Sequence, residues 1–238
     1  MLFKNNNFWV RAGIDHTLTV IKFMDYNFDD KQFIENAFKE IIIKNNKNFQ
    51  IEDKKIKSYI YSWVEVRNIV ILWTEAYNND SNCKFKISDL ENLYMIIDNN
   101  YTYWKFFQEN SDELEDLEER LNNVFNEIIK AKTLKKALNA ILIFCHKNYL
   151  DGILGRFTSF FNWMLLQALL IFKNYSPIIA KVDKNTQILW FYPLVNMLYN
   201  DISSMPMSKW NKSYYFKKTF DFCYENSVKY NALIKKIS

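Results

Sequence analysis

Residues 157–172 read Phe157-Thr158-Ser159-Phe160-Phe161-Asn162-Trp163-Met164-Leu165-Leu166-Gln167-Ala168-Leu169-Leu170-Ile171-Phe172. On a helical wheel this stretch is apolar on nearly every side, a pattern expected of a helix surrounded by other helices. Its apolar run, Phe160 to Phe172, is interrupted by Asn162 and Gln167 and falls short of the ~20 residues that span a bilayer. The stretch therefore predicts the buried central helix of an all-helical bundle.

Upstream, Asp151-Gly152-Ile153-Leu154-Gly155 is the most glycine-dense part of the chain and predicts a tight corner. Before it, Thr133 to Asn148 carries Leu134, Ala137, Leu138, Ile141 and Phe144 or Cys145 at helical spacing. Ser88-Asp89-Leu90-Glu91 fits a capping box, so a helix is expected to begin at Ser88 and run on through Tyr103, Phe107, Leu114, Leu117 and Leu121, with a break near Asn110-Ser111. Three earlier helices are expected. They cover Asn7 to Met24, a segment from about Asp29 capped by Asp30, and Asp53 to Tyr77 with Ile56, Ile60, Trp63, Val70 and Trp73 on one face. Downstream, Ser176-Pro177 is expected to end the central helix, and a further helix covers about Thr186 to Asp201 with a bend before Pro193. The last helices lie between Ser208 and Ile237, with Trp210, Tyr214, Phe220 and Tyr224 pointing inward.

Composition agrees with this class. Of 238 residues only 3 are Gly and 3 Pro, too few turn formers for a chain of many short strands, while 49% are hydrophobic. A net charge of +4 is small, and its sign alternates between an acidic Asp112 to Glu119 and a basic Lys209 to Lys236, which read as solvated faces and not as a nucleic-acid stripe. Cys83, Cys145 and Cys223 are odd in number and far apart, which fits a reducing compartment and neither a disulfide framework nor a metal site. The polar start, Met1 to Trp9, lacks the apolar core of a secretory signal.

At the corner the chain reads Gly155-Arg156-Phe157-Thr158-Ser159-Phe160-Phe161-Asn162-Trp163, and upstream Phe107-Gln108-Glu109-Asn110-Ser111-Asp112-Glu113-Leu114. These two stretches resemble the first and third homology regions of the Bcl-2 family, with Asp112 and Arg156 separated by 44 positions (156 − 112), similar to the family's globular members. The resemblance implies a Bcl-2-like helical bundle over residues 51–238, with residues 1–50 as an N-terminal helical extension. It implies a pro-survival regulator of apoptosis, a viral homologue being one economical source, that is not an enzyme and needs no cofactor or metal. Its partners would be the amphipathic BH-3 helices of pro-apoptotic proteins, a homodimer being left open, with no nucleic acid and no membrane association beyond a peripheral or partner-borne one. Localisation would be cytoplasmic, or at the mitochondrial outer membrane through partners.

The ligand helix would lie on Gly155, Arg156, Phe107, Leu114, Leu117, Phe157 and Phe160. Gly155 has no side chain to hold a partner backbone off, and the Arg156 guanidinium suits a carboxylate. Apolar anchors at i, i+3 or i+4 and i+7 would enter the groove between. Asn110 stands where the third region carries an apolar anchor, which points to a packed helix and away from an exposed killer ligand.

One rival is catalytic. Arg11 and His16 fit the Arg-x4-His spacing of HEPN-type metal-independent ribonucleases, in which a cation steadies the phosphate and an imidazole moves a proton. The alternative for the same residues is an Arg11–Asp15 ion pair at i, i+4 with His16 tucked inward. Neither His16 nor His146 is preceded by the Glu-x-x-His of a di-metal bundle.

Overall fold

The computed structural model describes residues 4–24, 26–98, 104, 109, 111–152, 154–180 and 196–235, with backbone alone for Ser111, Glu113, Leu114 and Arg156. The protein is all-helical, with no strand among these residues. In chain order the helices are α1 (Asn6–Phe23), α2 (Lys31–Phe38), α3 (Lys54–Asn79), α4 (Glu91–Ile97), α5 (Ser111–Lys130), α6 (Leu134–Asp151), α7 (Thr158–Phe172), α8 (196–202) and α9 (Tyr214–Lys235). No described helix is long and apolar enough to cross a membrane.

Local chemistry sets the helix starts. Asn5, Asp30, Asp53 and Thr133 each accept a backbone N–H from the first turn of α1, α2, α3 and α6. At the expected Ser88 box the chain differs: a 3-10 turn over Ile87–Leu90 opens first, and Asp89 instead of Glu91 takes the Lys86 N–H at 3.2 Å. The Asp89 carboxylate is held for this by the indole N–H of Trp73, also at 3.2 Å. Nor does one helix run on from there, because Asp98 is extended (φ −118°, ψ 94°) and closes α4 after Ile97. Tyr103, Phe107 and Asn110 lie outside the described residues, as do Pro193 and the first part of the helix expected over 186–201.

α7 is the hub. It packs between α3 and α6, and its buried side chains include Phe161 and the unbroken series Met164 to Ile171. Both polar interruptions have structural partners. The Gln167 carboxamide pairs with the backbone of Ile178, accepting its N–H at 2.8 Å, and Asn162 Nδ2 donates to the Cys145 carbonyl of α6 at 2.9 Å. α7 ends at Phe172, ahead of the expected stop at Ser176-Pro177, and Asn174 turns the chain with φ +63°. Lys173 then donates its ammonium to the Ile129 carbonyl near the end of α5, at 2.6 Å.

The first fifty residues share this core. Trp63 of α3 donates its indole N–H to the Trp9 carbonyl at 3.1 Å, and Gly13 leaves the room that the rings of Phe38 and Trp63 occupy. A Cβ at residue 13 would come within 2.7 Å of both rings. At the other end, α9 is rotated from the expected phase: Tyr214 is 63% exposed, and Phe216, Thr219, Cys223, Asn226, Ser227 and Tyr230 are the side chains turned inward. That series repeats at three and four residues from Phe216, whereas Phe220 and Tyr224 ride its half-buried edge.

Candidate functional site

Between α6 and α7 the corner forms as expected. Gly152 (φ +66°) and Gly155 (φ +54°) take the left-handed backbone that favours glycine, and a 3-10 turn over Gly155–Phe157 leads into α7. Thr158 Oγ1 ties it shut, accepting the Leu154 N–H at 3.2 Å and donating to the Gly155 carbonyl at 2.8 Å. Asp151, the last residue of α6, pairs with Lys147 and with Arg120 of α5.

The residues expected to line a helix-binding groove do not all gather on one open surface. Leu117 is buried in the core at 3% exposure. Phe157 and Phe160 are half-buried, and Phe160 meets Tyr59 edge-on at 5.6 Å. Phe107 and the side chains of Leu114 and Arg156 lie outside the described residues.

Arg11 and His16 are not brought together as a catalytic pair. Arg11 is half exposed on α1 and its Nε donates to Asp15 at 3.0 Å, the i, i+4 ion pair, while Asp15 also accepts the Tyr230 hydroxyl at 3.0 Å. His16 is fully buried. Its ring stacks on Trp63 with centroids 4.7 Å apart, and its Nε2 accepts the Trp163 indole N–H at 3.0 Å. Burial holds its pKa down to about 3, so the imidazole is neutral and enclosed.

A different place does hold open space. Just past the corner a cavity of about 230 Å³ opens on one side, walled by α1 (Val20, Phe23), α6 (Leu142, Cys145, His146, Tyr149), α7 (Ser159, Phe160, Asn162, Trp163, Leu166), α8 (Asn196, Tyr199) and α9 (Thr219, Cys223). Most of the wall is apolar, and no Asp, Glu, Lys or Arg is among the described residues that line it. His146 Nδ1 lies 3.3 Å from the Tyr199 hydroxyl, and Tyr199 stacks on Tyr149 with centroids 3.7 Å apart. His146 Nε2, Asn162 Oδ1 and Thr219 Oγ1 are buried without a hydrogen-bond partner among the described residues.

Electrostatically the cavity disfavours charge. Burial lowers the His146 pKa to about 4, raises that of Cys223 to about 12 and raises that of Cys145 further. At neutral pH the wall therefore presents a neutral imidazole and two protonated thiols. Cys145 and Cys223 are free, and no described group of His, Cys, Asp or Glu is arranged to hold a metal. The sequence reading missed this site. Its only trace was a pair of polar residues, His146 and Asn162, at otherwise apolar helical positions, and such residues equally suit satisfied core contacts.

No protein-family profile, curated protein or solved structure matches the chain.

Proposed function

We propose that the protein is a ligand-binding protein whose site is the cavity beside the α6–α7 corner. The observation that carries this is an open, largely apolar cavity walled by five helices, with Phe23, Tyr149, Phe160, Trp163 and Tyr199 in its lining. A packed core fills such space with side chains, so an accessible apolar concavity of this size is characteristic of a binding site. The test is a fragment screen of mixed acids, bases, aliphatics and rings against fluorotryptophan-labelled protein, with Trp163 in the wall as reporter. Fragments should move its resonance, and Cys223→Phe, which fills the cavity from α9, should abolish the response. A set in which no class moves Trp163 sinks the proposal.

A second reading keeps the helix partner. In it the protein is a pro-survival Bcl-2-like regulator that holds a BH-3 helix against Gly155 and Arg156. Phe160 supports it: alone among the described expected groove residues it also lines the cavity, so one apolar anchor of a docked helix could enter there. Calorimetric titration of BH-3 peptides into wild type and Arg156→Ala tests it. Loss of a charge-assisted contact should weaken binding roughly tenfold or more, and absence of binding to wild type removes this reading.

A further inference from the structure

The size and walls of the cavity narrow what it can hold. Benzene occupies an engineered apolar cavity of ~150 Å³, so a space of about 230 Å³ suits a molecule of two fused rings. Aromatic side chains face it from three directions: Phe160 and Trp163 from α7, Tyr149 stacked on Tyr199 from α6 and α8, and Phe23 from α1, which meets Trp163 edge-on at 5.9 Å. Such walls favour planar rings, which gain from stacked and edge-to-face contacts. With no Asp, Glu, Lys or Arg among the described lining and His146 held neutral, a charged ligand would be desolvated without a counter-ion from these residues.

Resting on the cavity as the binding site, we propose that its ligand is a neutral, planar two-ring molecule, the class represented by indole and naphthalene. The rings lie among Phe160, Trp163 and the Tyr149–Tyr199 pair.

Indole, naphthalene, cyclohexanol and indole-3-carboxylate, titrated into the full-length protein by calorimetry and followed at Trp163 by fluorine NMR, test the class without any mutation. Indole and naphthalene should bind, and cyclohexanol and the carboxylate should each bind roughly tenfold more weakly or worse. Equal affinity for indole and cyclohexanol overturns the planar rings, and a carboxylate that binds as tightly as indole overturns neutrality. If aliphatic fragments move Trp163 while every ring fails, the ligand class is wrong and the site stands. If nothing moves it, both proposals fall.

Discussion

The chain has two histidines, both buried in helices and both held neutral, one at about pKa 3 and the other at about 4. His16 is enclosed between Trp63 and Trp163 and receives an indole N–H, whereas His146 borders an opening with Nε2 turned to no described partner. A depressed pKa is thus common to both and separates nothing. An orphan nitrogen does not separate them either, since His16 Nδ1 also lacks a described partner. The difference is space: ring carbon closes over His16, and His146 faces a cavity. A perturbed histidine becomes a candidate site when burial comes with an approach.

The largest test of this contrast strikes the packed side. Trp63→Ala removes a fully buried indole that stacks on His16, meets Trp9 edge-on at 5.7 Å and donates to the Trp9 carbonyl. Denaturant unfolding should register a loss of about 3–5 kcal/mol, the usual cost of deleting a core aromatic. A loss under ~1 kcal/mol would mean that the region around His16 is as loosely packed as the cavity.

Acid comes next. Each histidine is neutral in the fold and would titrate near 6.5 when unfolded, so the unfolded chain binds more protons at mildly acidic pH. Stability is therefore full above about pH 6.5 and is lost as pH falls, toward about 4 for His146 and about 3 for His16. At pH 4.5 the linked loss is roughly 2–3 kcal/mol per histidine, from ~1.4 kcal/mol for each pH unit below 6.5. His16→Gln and His146→Gln should each flatten the slope of stability against pH between 6.5 and 4.5. An unchanged slope in either variant would show that histidine to be protonated in the fold.

Much of the scaffold was legible because its signals are local. Asp30, Asp53 and Thr133 cap helices as their residue types suggest, and Gly152 and Gly155 turn the corner. What failed was phase and continuity. Tyr214 was expected inside because it is aromatic, yet α9 buries the Phe216 face, and the choice between two partly apolar faces depends on what α6 offers. The helix expected through residue 121 breaks at Asp98, which Tyr94 holds by a hydroxyl hydrogen bond of 3.1 Å. The cavity was invisible for a deeper reason. It is walled by five helices, and the space left between them is a property of the assembled fold that no window of sequence records.

Adding atoms discriminates between the two regions more finely than removing them. Gly13→Ala places a methyl within 2.7 Å of Phe38 and Trp63, both fully buried and the second stacked on His16. Alanine in a helix interior gains ~0.5–1 kcal/mol over glycine, but overpacking a tight core costs ~1–3 kcal/mol, so a net loss of about 1–2 kcal/mol is expected from thermal or denaturant unfolding. A gain in stability would show that the rings yield.

The smallest effect is the most diagnostic. Thr219 lines the cavity from α9, is 4% exposed, and its hydroxyl has no hydrogen-bond partner among the described residues. Thr219→Val exchanges that hydroxyl for a methyl of similar shape. In a satisfied core the exchange destabilises, because it deletes a hydrogen bond and strands the partner. Here no described partner is stranded, and a desolvated hydroxyl is replaced by a group that belongs in an apolar wall. Unfolding free energy should therefore stay within about 1 kcal/mol of wild type, on the stabilising side. The matched control is Ser227→Ala on the same helix, whose hydroxyl donates to the Ser176 carbonyl at 2.7 Å in a fully buried position. That variant strands a carbonyl and should lose about 1–3 kcal/mol. If both variants destabilised equally, Thr219 would have a partner in solution, and the cavity wall would be as well satisfied as the cage around His16.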